Sequence, residues 1–354
     1  MTTVSKERSL AQSVVQWQEQ HGRSHLPWQQ TRDPYRVWLS EIMLQQTQVV
    51  TVLGYYERFL EQFPDVASLA AASEDEVMAL WSGLGYYSRA RNLHRCAQQV
   101  VELHGGVFPA SAQVLQTLSG IGRSTAGAIA AFCFSERVPI LDANVRRVLT
   151  RVLGFDGDLS LAANERALWS LAAGLLPDSD LIASMPRYTQ GLMDLGAMVC
   201  LPRKPLCLVC PLQSHCLAFR QCEPERYPVK SRKLTRKAEV WWLLLLRDPS
   251  GRIWLERRPS KGIWAGLYSF PVYPSESALM GHPAAANACA GASNCTTFPA
   301  FLHVLTHRDL YLHPVIVDIA EADATSSPGA GWFARDRWHL LGLPAPIRKL
   351  LDAL

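Results

Sequence analysis

Two acidic residues, Glu41 and Asp142, stand in contexts that should push their carboxyl groups in opposite directions. Glu41 lies in Trp38-Leu39-Ser40-Glu41-Ile42-Met43-Leu44-Gln45-Gln46-Thr47. On a helix its neighbours three and four residues away are Val37, Trp38, Leu44 and Gln45. That mostly apolar face desolvates the carboxyl and raises its pKa. Asp142, in Ile140-Leu141-Asp142-Ala143-Asn144, precedes a helical pattern of Val145, Val148, Leu149 and Val152. As an N-cap it accepts backbone N–H bonds and feels the positive helix end, so it is expected to stay ionised. A neutral acid paired with an anion suits glycosidic cleavage, which needs a protonated leaving group and a stabilised sugar cation. Each residue alone also has a plainer reading, Asp142 as a cap and Glu41 as an exposed helix residue.

Two further groups could do chemistry. In Leu118-Ser119-Gly120-Ile121-Gly122-Arg123-Ser124 the glycines allow a tight turn and close approach to another surface. A helix expected from Thr125 to Phe132 would present its unpaired N–H groups there, a place for one phosphate. By itself this motif is read as well by a Gly-rich link between two core helices. Cys200, Cys207, Cys210 and Cys216 follow a C-x6-C-x2-C-x5-C spacing, with Pro202, Pro205 and Pro211 breaking any regular helix. Four thiolates so close can wrap one metal centre, zinc or iron–sulfur, and ligand type does not separate the two.

These residues need two kinds of scaffold. At 354 residues the chain is expected to form two domains, and 48% hydrophobic with 19% charged residues is globular composition. A net charge of +4 permits a nucleic acid partner without requiring one. Met1 to Gln20 has no apolar export segment, and Val240 to Leu246 is far too short to cross a bilayer. A cytoplasmic protein is expected, with no membrane partner. Nine cysteines, an odd number, argue against a complete disulfide framework. Cys96, Cys133, Cys222, Cys289 and Cys295 are read as ordinary thiols. Residues 1–225 carry helical signals, including an Asp33-Pro34 start and amphipathic runs at 65–80, 89–103, 125–133, 145–153 and 164–175. Residues 226–237 hold six basic residues and no acid, an exposed linker that could lie along a phosphate backbone. In 238–354 strands are expected at Val240–Leu246, Ile253–Glu256, Leu267–Pro271 and Leu310–Val317, with 274–298 a loop or irregular helix.

The cysteine spacing, downstream of the Gly-x-Gly hairpin and Asp142, resembles the endonuclease III superfamily of helix-hairpin-helix DNA glycosylases. The stretches Leu26-Pro27-Trp28, Val37 to Gln48, Gly83-Leu84-Gly85-Tyr86-Tyr87, Arg89 to Leu93 and Arg123 to Gly127 resemble the adenine glycosylase (MutY) branch. This resemblance implies a mainly α glycosylase domain with an iron–sulfur loop at 200–216, followed by an α+β Nudix-like domain. It implies a 4Fe–4S cluster on Cys200, Cys207, Cys210 and Cys216. Glu41 would protonate adenine N7 and later activate water, Asp142 would stabilise the sugar cation, and Asn144 would support Asp142. Gln46 and Tyr86, with Leu84 beside it, would enter the duplex near the lesion, and Gly120, Gly122 and Ser124 would grip DNA. Bifunctional relatives carry a Schiff-base lysine where Ser124 stands, so base release without efficient strand cleavage is implied. Ser119 and Ala143 depart from the proline and glycine of some relatives, both small changes in turns.

Gly262 to Pro271 resembles the Nudix-like domain that reads 8-oxoguanine in this family. Residues 272–298 contain Glu276 as their one glutamate and no acidic Nudix helix, so hydrolase activity is not expected. The family's Phe-Ser-His probing loop is matched by Leu305-Thr306-His307, with Thr306 and His307 as lesion contacts and leucine in place of the aromatic. The implied substrate is duplex DNA with adenine opposite 8-oxoguanine or guanine, handled by a monomer associated with bacterial nucleoid DNA. A thymine- or uracil-mismatch glycosylase and a non-enzymatic iron–sulfur damage sensor are the alternatives.

Overall fold

The computed structural model describes residues 8–231, 235–290, 295–319 and 329–354. Residues 232–234 of the basic segment and 291–294 of the Ala-rich stretch lie outside the described residues.

Local signals start the helices. Ser9 and Gln12 cap α1 (Leu10–His21) reciprocally, and Asp33 accepts the Tyr35 N–H with Pro34 in the first turn of α2 (Pro34–Leu44). Helices α3 (Val49–Gln62) and α4 (Val66–Ala71) follow. The run expected over 65–80 is broken, because Ser73 and Glu76 form a capping box that starts α5 (Glu74–Trp81). Next come α6 (Ser88–His104), α7 (Ala112–Leu115), α8 (Arg123–Phe134), α9 (Ala143–Leu153), α10 (Ala162–Gly174), α11 (Leu181–Met198) and α12 (Leu217–Arg220). The remaining expected runs match α6, α8, α9 and α10 to within two residues at each end.

The C-terminal part is a mixed sheet of β1 (Lys237–Arg247), β2 (Ile253–Arg257), β3 (Tyr268–Ser269), β4 (Val272–Tyr273), β5 (Cys295–Thr297), β6 (Phe301–Val304), β7 (Arg308–Asp318) and β8 (Ala330–Phe333). Helices α13 (Glu276–Met280), α14 (Pro283–Ala290) and α15 (Ala345–Asp352) accompany it. The stretch expected to be a loop or irregular helix thus holds α13, α14 and β5, with Ser275 capping α13 through the Ala278 N–H. Strands β1 and β7 run parallel in register from Lys237↔Arg308 to Arg247↔Asp318, and the other pairs are antiparallel. The continuous apolar run Leu243 to Leu246 is buried on both faces. On one of them Leu244, Leu246, Val315 and Val317 pack with Leu279 and Ala285.

The described residues form two compact units. One comes from Met1–Tyr56, Phe63–Ala70 and Arg95–Lys233, the other from Glu57–Gln62, Ala71–His94 and Leu234–Leu354. The core of the first gathers α1 and α8 to α11 through Val14, Trp17, Ala128, Val148, Trp169 and Leu195. In the second, segment 71–94 is tied down by Ser82 Oγ and Tyr87 Oη, which donate to Leu343 O at 2.9 and 2.8 Å.

Candidate active site

Glu41 stands on α2 in the wall of a cavity of about 390 Å³ that Trp28, Gln29, Ser40, Phe132 and Gln190 also line. Glu41 is half-buried there, facing the cavity. Burial, then the charge of Asp142, raises its pKa from 4.5 to about 8. Asp142 is the N-cap of α9, and its Oδ1 accepts the Val145 N–H at 2.7 Å. The expectation that Asp142 sits low is corrected. Burial is the largest influence and raises it, against the Val145 and Asn144 N–H groups and the charges of Arg147 and Arg146. Asp142 has backbone donors and two arginines favouring its anion, whereas Glu41 has only desolvation and the charge of Asp142, both raising it.

Helix α9 carries the site's second function, a rigid connection to the cysteine loop. Arg147 Nη2 donates to Asn144 Oδ1 at 2.9 Å and Gly196 O at 2.6 Å, and its Nε to Cys200 O at 2.7 Å. A side chain at Gly196 would put its Cβ 2.5 Å from Asn144 Cβ, so only glycine lets α11 pass this close. One turn on, Arg151, 2% exposed, donates to Cys200 Sγ at 3.2 Å and to Leu201, Pro202 and Tyr227 carbonyls. Cys200, Cys207, Cys210 and Cys216 all line one small cavity against Arg151 and Val152. Burial, with repulsion among the thiols, pushes Cys210 up to about 12. Among the described residues no group of three or more His, Cys, Asp or Glu side chains is arranged around a single metal ion.

In the hairpin Gly120 takes φ +76°, whereas Gly122 is at φ −82° and is the N-cap of α8 without a side-chain bond to the helix. A Cβ on Gly122 would meet nothing within 4 Å, so its bare backbone faces open space. Ser124 is half-buried, and its Oγ accepts the Leu141 N–H at 3.1 Å. It braces the extended segment leading to Asp142. Gln46 is exposed at φ +55°, on a turn that Gln45 joins to α8 through Thr125 Oγ1 at 3.4 Å.

The remaining expected contacts lie in the second unit. Tyr86 is 45% exposed, and its Oη is 2.8 Å from Thr306 Oγ1. Both line a cavity of about 510 Å³ with Arg91, Trp264, His303 and His307. Leu305, Thr306 and His307 form the β6–β7 turn, closed by the Leu305 N–H to Arg308 O at 2.8 Å. Leu84 is corrected as a DNA contact. It is 6% exposed, because an apolar side chain in the middle of a Gly-x-Gly turn finds the core more readily than water. Cys295 is likewise no ordinary thiol, being disulfide-bonded.

Sequence reasoning passed over Gln29, Gln190, Arg147 and Arg151. Gln29 follows the Leu26-Pro27-Trp28 motif directly, and both arginines sit within the strongly amphipathic α9 pattern, a charge placement that could have flagged them.

The helical unit with its Gly-x-Gly turn, raised glutamate and cysteine loop fits the helix-hairpin-helix glycosylase class that the sequence resembles. The profile of the HhH-GPD superfamily of base excision DNA repair proteins matches residues 39–173, and that of the NUDIX domain matches residues 242–353. The adenine DNA glycosylase of Buchnera aphidicola subsp. Acyrthosiphon pisum is 34% identical over 346 residues, covering 97% of each chain. That of Homo sapiens is 32% identical over 400 residues, 96% of this chain and 72% of the human one. A solved thermostable thymine-DNA glycosylase superposes with a TM-score of 0.53 at 29% identity, over 60% of this chain and 95% of that one. The chain belongs to the adenine DNA glycosylase family, enzymes that hydrolyse N-glycosyl bonds in DNA. Among the described residues no helix is long and apolar enough to cross a membrane.

Proposed function

We propose that this enzyme is monofunctional and removes adenine paired with 8-oxoguanine, or with guanine, from duplex DNA, as a cytoplasmic monomer. The observation that carries the reading is a carboxyl held protonated at neutral pH in the wall of a base-sized cavity. The target base must leave the stack to reach it. Glu41 donates its proton to adenine N7, the glycosidic bond breaks, and Asp142 faces the resulting sugar cation as an anion. Glu41, now ionised, takes a proton from the attacking water. Gln29 Nε2 has no partner within the protein, which leaves a buried donor for an acceptor nitrogen of the base. Gln190 brings a second amide to the same wall.

Gly120, Gly122 and the open start of α8 offer N–H groups to one phosphate of the strand. Gln46 and Tyr86 fill the space the base leaves, while Thr306 and His307 meet the 8-oxoguanine. Ser124 has no amine for a Schiff base, so the strand is left uncut. Cys200, Cys207, Cys210 and Cys216 would hold a 4Fe–4S cluster, whose contribution is structural cross-linking of the loop. The four thiols line one small cavity, and the C-x6-C-x2-C-x5-C spacing that resembles the family's cluster loop supports this reading.

Single-turnover base release from A:8-oxoguanine, A:G and T:G duplexes, by wild type and Glu41→Gln, tests the reading. Release should fall in that order of substrates and vanish in the variant. Faster release from T:G would favour a thymine-mismatch enzyme, and robust borohydride trapping would remove the monofunctional assignment. Iron content and visible absorbance of the purified protein decide between iron–sulfur and zinc.

A further inference from the structure

The turn that presents Tyr86 is built on backbone that side chains rarely adopt, with φ +105° at Gly83, +70° at Gly85 and +47° at Tyr86. Such a turn needs external support to persist. Trp81 Nε1 supplies one bond, to Gly85 O at 3.0 Å. The Leu84 N–H donates to Trp81 O at 3.0 Å and the Gly83 N–H to Tyr87 Oη at 3.4 Å, and the side chain of Arg89, in the first turn of α6, adds further support. Its Nη2 donates to Leu84 O at 3.2 Å and Gly85 O at 3.4 Å. Its guanidinium carbon lies 5.2 Å from the Trp81 ring centroid and 5.4 Å from that of Tyr86. The side chain is 8% exposed, and burial lowers its pKa only to about 10, so it stays charged at neutral pH.

We propose that Arg89 is a positioning residue: it holds the Gly83–Tyr86 turn in the shape that lets Tyr86 enter the duplex and meet Thr306. This rests on the reading of Tyr86 as an inserting side chain. Arginine suits the task because a flat guanidinium can face aromatic rings while its edge donates to carbonyls in fixed directions. Lysine would keep the charge and lose the plane.

The test uses the full chain and a duplex with 2-aminopurine beside an A:8-oxoguanine pair, whose fluorescence rises when a side chain inserts. Insertion rates and single-turnover excision are compared for wild type, Tyr86→Ala, Arg89→Lys, Arg89→Met and the Tyr86→Ala/Arg89→Met double variant. Arg89→Met should slow insertion about tenfold, the scale of one cation–π contact and a carbonyl hydrogen bond, with Arg89→Lys between it and wild type. The double variant should be no slower than Tyr86→Ala, since Arg89 acts through that ring. If Tyr86→Ala inserts like wild type, the wedge reading fails and takes the proposal with it. If Tyr86→Ala is slow and Arg89→Met is not, the proposal alone fails. Multiplied losses in the double variant would overturn it in favour of a general packing role. Should Arg89→Met not fold, the same comparison made with Arg89→Lys decides, and a wild-type insertion rate there refutes the proposal.

Discussion

Replacing Glu41 with glutamine should stabilise the enzyme while abolishing base release, by an amount that grows with pH. The folded carboxyl titrates near 8 against 4.5 in a free chain. Below pH 4.5 it is neutral in both states and costs nothing. As pH rises toward 8 the unfolded chain ionises and the folded one does not, so stability falls by about 1.4 kcal/mol per pH unit. The loss levels off once the folded carboxyl ionises too. At pH 5 Glu41→Gln should gain under about 1 kcal/mol, and at pH 7 about 3 kcal/mol, from a raised carboxyl that the neutral amide replaces. For a unit of this size the larger figure corresponds to a melting shift of roughly 6–12 °C. Calorimetry on both proteins at pH 5, 6, 7 and 8.5 measures it. A difference that stays flat over this range, or a variant less stable throughout, would refute the reasoning that desolvation and Asp142 hold the proton on Glu41.

The same proton governs rate: single-turnover excision should decline on the alkaline side with a midpoint near 8, and undiminished excision above pH 9 would remove Glu41 as the acid. Gly196→Ala places a Cβ 2.5 Å from that of Asn144. The first turn of α9 must move, and excision should drop on the order of a hundredfold while the melting temperature changes by only a few degrees. Arg151→Met leaves the Leu201, Pro202 and Tyr227 carbonyls and Cys200 without their donor. It should destabilise the protein by about 3 kcal/mol and lower iron per chain, both measured on the purified variant.

Much of this was legible because it is local. Asp33-Pro34, the Ser73–Glu76 box and the Asp142 cap act within a few residues, so helix starts follow from sequence. Helix starts still drifted by one or two residues and ends by at most one, and 65–80 split where a cap outcompeted a continuous apolar stripe. Glu41 as a raised acid was also legible, because a helix face brings its own neighbours. The pKa direction of Asp142 was not. Its N-cap bonds are local, but the burial that outweighs them comes from distant segments.

Residue type and short spacing therefore marked the candidate chemistry in the chain itself: two carboxyls, a Gly-x-Gly turn, four clustered cysteines and a family resemblance. Only the tertiary structure decided which neighbours are shared across long separations. It turned Ser124 inward to Leu141, sent Leu84 into the core, and drew Arg147 and Arg151 from α9 onto the cysteine loop. It also set Tyr86 against Thr306, 220 residues away along the chain. Periodicity says which face of an element is buried. What that face meets depends on the packing of elements remote in sequence, and those contacts leave no mark on local spacing.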